Sequence, residues 1–178
     1  RYISGISGDY LFHSVPYYSM SEEDLELEEF NKLGEQASQG CVRLAVSDAK
    51  WVYDNCPTGT NVSIYDDAEN AGPLGKPDAI KITDFTNKWD PTDSNKKCPY
   101  AKATPIISGA NDYTIKSGGE FYALAGVTAV DTCGNDITSN IEVLGNVITT
   151  RKGKYKVTYS VTDVLKRTSS VTITVTVQ

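Results

Sequence analysis

The sequence predicts a mainly β protein in two parts: a front part of strands and short helices, then a C-terminal β-sandwich. Three observations predict it. The last thirty residues hold fifteen Thr, Val or Ile, the residues that suit a pleated, half-buried surface. Short apolar runs recur through the C-terminal half, separated by Gly- and Asn-rich turn signals. The length, 178 residues, accommodates two domains at roughly 150 residues per domain as a soft prior. Five of the seven prolines (Pro73, Pro77, Pro91, Pro99 and Pro105) are clustered over 73–105, four of them between the two parts and Pro105 at the start of the second. The expected organisation is therefore 1–66 as the front domain, 67–102 as connector, and 103–178 as the sandwich.

In chain order, Tyr10-Leu11-Phe12-His13 reads as a strand end. Ser21 to Leu33 reads as a helix, with Ser21 and Asp24 resembling a capping box, Leu27, Phe30 and Leu33 on one face, and Gly34 as the stop. Ser47 to Asn55 reads as a second helix ended by Cys56-Pro57. Asn61 to Tyr65 alternates as a strand, and Ala79 to Thr83 is an expected edge strand inside the connector. The sandwich strands are expected at Ile106-Ile107, Tyr113 to Ile115, within Phe121 to Val130, within Ile141 to Ile148, at Lys154 to Val161 and at Val171 to Val177. The last of these alternates with period two, one face buried.

Composition excludes several functions. The formal charge is −6, from 17 basic and 23 acidic residues, which argues against nucleic acid as a partner because phosphate binding needs a basic stripe. No apolar run approaches the ~18 residues of a membrane span. Arg1-Tyr2-Ile3-Ser4-Gly5 is not a signal peptide, so the chain is cytosolic or its targeting segment lies outside this sequence. The charge is concentrated: Ser21 to Gln36 holds seven acids against one base, Lys32. A solvated surface helix is the plain account of that run. The sharper one is a lid beside a cleft, whose field, carried by Glu22, Glu23, Glu26 and Glu29, favours a cationic acceptor amine.

The chain has one histidine, His13, upstream of all four cysteines. That order excludes papain-like peptidases, in which Cys precedes His. The segment Ser38-Gln39-Gly40-Cys41-Val42-Arg43 is the candidate nucleophile loop. A reactive thiolate needs a nearby base or dipole, and the developing oxyanion needs backbone N–H donors. Gly40 permits a turn that a Cβ would block, and Arg43 shares a strand face with Cys41. Taken singly, each has a plain reading: a small buried thiol, a strand histidine, an ion-paired arginine. Tyr17 and Tyr18 read as pocket lining or core. Asp90, Asp93 and Asn95 read as a turn or a calcium loop.

His13-Ser14 followed by Ser38-Gln39-Gly40-Cys41-Val42-Arg43 resembles the L,D-transpeptidase (YkuD-like) catalytic domain, whose signature is His, a spacer, then Ser/Thr-x-Gly-Cys-aliphatic-Asn/Arg. The likeness runs from about Tyr10 to Tyr65, with Ser47 to Trp51 and Pro57-x-Gly59-Thr60-x-Val62 resembling the end of that domain. Gln39 stands where many members have a second histidine, and Arg43 where many have Asn. The resemblance implies a partial β catalytic domain, a C-terminal portion whose upstream strands lie outside this sequence. The C-terminal part is similar to a bacterial Ig-like surface domain, through Gly126 to Asp131, Gly134 to Thr138 and Gly153 to Asp163.

The resemblance implies acyl transfer from a peptidoglycan tetrapeptide stem to an acceptor amine, through a thioester on Cys41, giving 3-3 crosslinks. It implies His13 as base, oriented by the Ser14 carbonyl, and an oxyanion hole from the N–H groups of Gln39, Gly40 and Cys41 beside Ser38. Arg43 would steady substrate or oxyanion. No cofactor or metal is implied, and one histidine does not build a typical zinc site. The implied location is the wall or surface of a Gram-positive bacterium, where disulfides persist. With Cys41 as nucleophile, Cys56, Cys98 and Cys133 remain, and the expected strand positions favour a Cys98–Cys133 bridge. A sortase-like site has the same order of His, Cys and Arg but needs Thr-x-Thr-Cys and a more distant Arg. A non-catalytic surface binding or spacer protein is the alternative from another class.

Overall fold

A computed structural model describes residues 1–70, 72 and 75–178. The chain divides into two compact units, Arg1–Lys102 and Ala103–Gln178, and is mostly β with few helices. In the first unit, strand β1 (Ser4–Ser7) turns back antiparallel onto β2 (Tyr10–Ser14). Helix α1 (Leu27–Phe30) follows, then β3 (Val42–Leu44) and helix α2 (Val46–Asn55). β3 lies parallel to β2, so the sheet order is β1-β2-β3. Val15, Leu25, Phe30, Val46, Ala49 and Ile82 are almost wholly buried in this unit.

The expected helix over 21–33 is a single helical turn, Leu27–Phe30, continued by turns as far as Gly34. The reason is competition for its backbone. Leu25 is pinned before the helix begins: it bridges Tyr17, and its N–H donates to the Lys88 carbonyl at 2.9 Å. Ser21 Oγ accepts the Glu23 N–H rather than capping the longer helix. Leu27 and Phe30 still turn inward, so the apolar face survives although most of the helix does not.

The stretch expected as connector is largely part of the first unit. Ile82, Trp89, Asp90, Cys98 and Tyr100 are buried there. No strand forms over 79–83. Instead Asn31 receives that segment as a strand neighbour would: its Oδ1 accepts the Ile82 N–H at 2.7 Å and its Nδ2 donates to the Ile82 carbonyl at 2.8 Å. Pro73 lies outside the described residues. No strand forms over 61–65 either, where Val62, Ile64 and Tyr65 are exposed. The alternation is present, but no ladder among the described residues takes it up.

Asp90 secures the start of α2. The residue before that helix is Ala45, which has no side-chain acceptor, so its first N–H groups need partners from elsewhere. Asp90 Oδ2 accepts the Val46 N–H at 2.8 Å, and Thr92 Oγ1 accepts the Ser47 N–H at 3.1 Å. Asp90 Oδ1 takes both the Thr92 N–H and hydroxyl. Burial pushes the Asp90 carboxyl upward, and these donors oppose that shift. Asp93 pairs with Arg1 at 2.6 Å and accepts the Asn95 N–H. The Asp90 and Asp93 oxygens of the candidate calcium loop are thus engaged by protein donors.

In the second unit, β4 (Ile106–Ser108) pairs antiparallel with β6 (Thr128–Val130). β5 (Tyr113–Ile115), β7 (Glu142–Leu144), β8 (Gly153–Thr162) and β9 (Thr168–Val177) form a second sheet in the order β5-β9-β8-β7. Its core holds Val127, Ala129, Ile141, Tyr159, Ile173 and Val175. Along β9, Ile173, Val175 and Val177 are buried while the threonines between them are not. Tyr159 carries its ring into the core, and its hydroxyl donates to the Ala123 carbonyl at 2.7 Å.

All four cysteines are thiols, so the expected Cys98–Cys133 bridge is not formed. Cys98 belongs to the first unit and Cys133 to the second, and each is held in its own turn. Cys98 Sγ donates to the Asp90 carbonyl at 3.7 Å, and the Cys133 N–H donates to Asp131 Oδ1 at 2.8 Å. Burial first, and then Asp131, pushes the Cys133 thiol up to about 12.

Two outcomes are expected. Asp90→Ala should lower the unfolding free energy of the first unit by about 1–3 kcal/mol, read from urea titrations of the fluorescence of buried Trp89. Asp90→Asn, which keeps an acceptor for Val46, should cost less. A change in Asp90→Ala below about 0.5 kcal/mol would deny the cap its role. The fold retains the Cys133 proton more tightly than the unfolded chain does, so that contribution is intact below pH 9.0 and fades as pH climbs toward about 12. The melting temperature should therefore fall more steeply over that range in the native chain than in Cys133→Ala. Parallel curves would refute this.

Candidate active site

The site is built on two parallel strands. In the β2–β3 ladder Phe12 stands opposite Val42, His13 opposite Arg43 and Ser14 opposite Leu44. Side chains alternate along a strand, so His13 and Arg43 project from the same face; Cys41 lies one residue before β3 begins. β2 ends at Ser14, and Ser14 and the following Val15 are both buried, so the histidine strand is anchored immediately after His13.

His13 Nδ1 lies 2.6 Å from the Ser14 carbonyl oxygen. A carbonyl only accepts, so this contact assigns the proton to Nδ1 and leaves the Nε2 lone pair for a base. Ser14 therefore bears on the site through its backbone. Its own hydroxyl is buried and donates to the Val15 carbonyl at 3.1 Å.

The loop before Cys41 is tied by Ser38. Its hydroxyl donates to the Cys41 carbonyl at 2.6 Å and accepts the Gly40 N–H at 3.1 Å. Gly40 has φ +135°, a conformation that L side chains rarely adopt. A Cβ there would also lie 2.2 Å from the Tyr10 ring. Tyr10 is about half exposed and its ring could swing clear, so backbone strain is the firmer demand for glycine. Gly40 spends its N–H on Ser38, which departs from the expected three-donor oxyanion hole. Gln39 is exposed and Cys41 half-buried, with Sγ 3.9 Å from the Asp9 carbonyl oxygen.

A cleft of about 310 Å³ opens beside Cys41, lined by Ser38, Arg43, Glu29, Lys32 and Glu35 among others. Arg43 Nη1 donates to Glu29 Oε2 at 2.5 Å, while Lys32 Nζ donates to Glu29 Oε1 at 2.5 Å. Lys32 first, and Arg43 second, hold the Glu29 carboxyl below the usual carboxylate range. His13 is not among the residues lining this cleft. Tyr17 and Tyr18 do not line it either: Tyr17 lies against the Arg1 guanidinium, and exposed Tyr18 donates to Glu28 at 3.4 Å. Among the described residues no cluster of His, Cys, Asp and Glu could hold a metal ion.

Sequence reasoning missed the Glu29–Arg43 pair as a contact, although Glu29 stood within the acidic run. It also missed Tyr10 over Gly40. Nothing in the spacing marks either one, because both depend on how the chain between β2 and β3 returns.

His13 with Nδ1 on a carbonyl oxygen, a glycine-strained cysteine loop and Arg43 in the paired strand make a candidate site for cysteine chemistry. Two stretches of the chain match known families. Residues 1–64 match the L,D-transpeptidase catalytic domain, YkuD, and residues 105–177 match the bacterial surface protein Ig-like domain. The catalytic-domain match thus comes first along the chain and the Ig-like match second. It is similar to the Bacillus subtilis (strain 168) protein named "Putative L,D-transpeptidase YciB", 49% identical over 57 residues, which are 32% of this chain and 28% of that protein. Matching solved structures include CBM51-2 in complex with GlcNAc and INT domains from Clostridium perfringens ZmpB, at 29% identity over 42% of this chain and 16% of that one, TM-score 0.38. The lipoprotein BT2262 from Bacteroides thetaiotaomicron matches at 24% identity over 41% of this chain and 37% of its own, TM-score 0.36. Structural likenesses at scores this low bear on neither the site nor its chemistry.

The Ser38 hydroxyl bridges Gly40 and Cys41, so Ser38→Ala should speed amide exchange over 38–41 while leaving the β2–β3 ladder protected. Ser38→Thr should keep native exchange. Equal exchange in Ser38→Ala and the native chain would show that the loop is held by something else.

Proposed function

We propose that the chain acts in peptidoglycan L,D-transpeptidation. Cys41 Sγ attacks the carbonyl of the third residue of a tetrapeptide stem. The bond to the terminal D-alanine breaks, and the stem is held as a thioester. His13 Nε2 takes the thiol proton and passes it to the departing amine. An acceptor amine from a second stem then attacks the thioester, giving up a proton to Nε2, and the thiol is restored with a 3-3 crosslink formed. The N–H groups of Gln39 and Cys41 serve the oxyanion, and Arg43 steadies the donor.

The observation that carries this reading is the 2.6 Å contact of His13 Nδ1 with the Ser14 carbonyl. It leaves Nε2 as the basic nitrogen on a strand paired in register with the one that follows Cys41. The domain matches support the chemistry, and the Ig-like match supports a cell-wall or cell-surface location; the Gram-positive host is part of the proposal.

Incubation with a carbapenem, a mimic of the acyl donor, should give a stoichiometric mass adduct on Cys41 that is lost in Cys41→Ala and reduced at least tenfold in rate in His13→Ala. No Cys41-dependent adduct would favour the other reading, a non-catalytic surface binding or spacer module.

A further inference from the structure

Arg43 enters the Cys41 cleft already bound. Glu29 reaches it from α1, the one helical turn in the crossover between β2 and β3, and is held there by buried Leu27 and Phe30 on the same turn. The two partners are each about three-quarters buried, at 23% and 25% side-chain exposure. Glu29 meets two cations at once, Arg43 through one oxygen and Lys32 through the other. Glu35 also lines the cleft but pairs with Lys81 at 3.1 Å.

Charge balance makes this trio a site. Two cations share one carboxylate, leaving one positive charge beside the nucleophile. A second carboxylate entering the cleft would complete the balance: the newcomer takes Arg43 and Glu29 keeps Lys32, so no charge is stranded. The planar guanidinium is suited to carboxylate binding. Each partner keeps about a quarter of its side-chain surface in water, so an entering carboxylate can reach Arg43 as Glu29 leaves it.

We propose that Glu29 is an internal stand-in for a substrate carboxylate, occupying Arg43 until a carboxylate-bearing peptide donor displaces it beside Cys41. Glu29 thereby sets specificity: a neutral donor gains nothing from Arg43, and an anionic one must outcompete Glu29. The peptide identity of the donor rests on the proposed transpeptidation. The exchange at Arg43 does not.

The test uses the whole chain and two alkylating probes of nearly equal size, anionic iodoacetate and neutral iodoacetamide. Each is attacked by the Cys41 thiolate with loss of iodide. Rates are mapped to the Cys41 peptide at low salt, with Cys56 as reference within the same molecule. In Glu29→Gln the iodoacetate-to-iodoacetamide ratio at Cys41 should rise roughly threefold or more. The ratio at Cys56 should not move. In an Arg43→Gln background the same Glu29 substitution should give less than half that effect, because its target is gone. An unchanged ratio in Glu29→Gln would overturn the proposal, as would an equal rise with and without Arg43. A ratio that responds as expected with no carbapenem adduct would sink the transpeptidase reading and leave the exchange standing. An adduct with an indifferent ratio would do the reverse.

Discussion

The parallel pairing of β2 with β3 is the constraint on which the site depends. Antiparallel neighbours can be joined by a two-residue turn, whereas parallel ones require a crossover that carries the chain back to its starting end. Residues 15–41 are that crossover. Its length is a consequence of topology, and anything built into it must come home beside the start of β3. The Ser38–Cys41 loop lies at that return point, so Cys41 is delivered by the same geometry that sets His13 opposite Arg43. A one-residue slip would send His13 and Arg43 to opposite faces, and the buried Ser14 and Val15 immediately after His13 resist such a slip.

What holds this small sheet is mostly contributed by side chains bonding to distant backbone. Asp90 and Thr92 satisfy the first N–H groups of α2 from more than forty residues away. Asn31 treats Ile82 as a strand partner, and the Lys88 carbonyl takes the Leu25 N–H. These contacts lend the segment after residue 78 a structural role that its prolines conceal. The helix after β3 is anchored by a carboxylate that burial alone would tend to neutralise, and three donors around it offset that tendency.

Patterns carried by local periodicity were legible in the sequence. The threonine–valine alternation of β9 and the span of α2 could be read because burial there repeats with the period of the element. The segment around Cys41 stood out through its resemblance to a known family, because glycine, cysteine and arginine each have a plain structural reading taken singly. What could not be read depends on non-local pairing. The acidic run has helical composition and an apolar face, yet Tyr17 and Lys88 claim the Leu25 backbone and the helix shrinks to one turn. Asn61 to Tyr65 has strand alternation, yet alternation only states that a face could be buried, and no ladder takes it up. The expected strand positions invited a Cys98–Cys133 bridge, yet each thiol is buried where its own turn places it.

The acidic run then has two functions that composition alone merges. Glu22 answers Arg1, Asp24 answers Lys88, and Glu29 answers Arg43 and Lys32. The first two contacts staple the crossover to neighbouring chain, and the third reaches the cleft. A uniformly solvated helix would offer its charges only to water, where screening limits each to about a Debye length of roughly 10 Å. The crossover instead fixes one of its carboxylates on the strand that carries the site's arginine. Negative charge in this segment therefore meets Arg43 through Glu29, while Glu22 and Asp24 fasten the chain that brings Glu29 there.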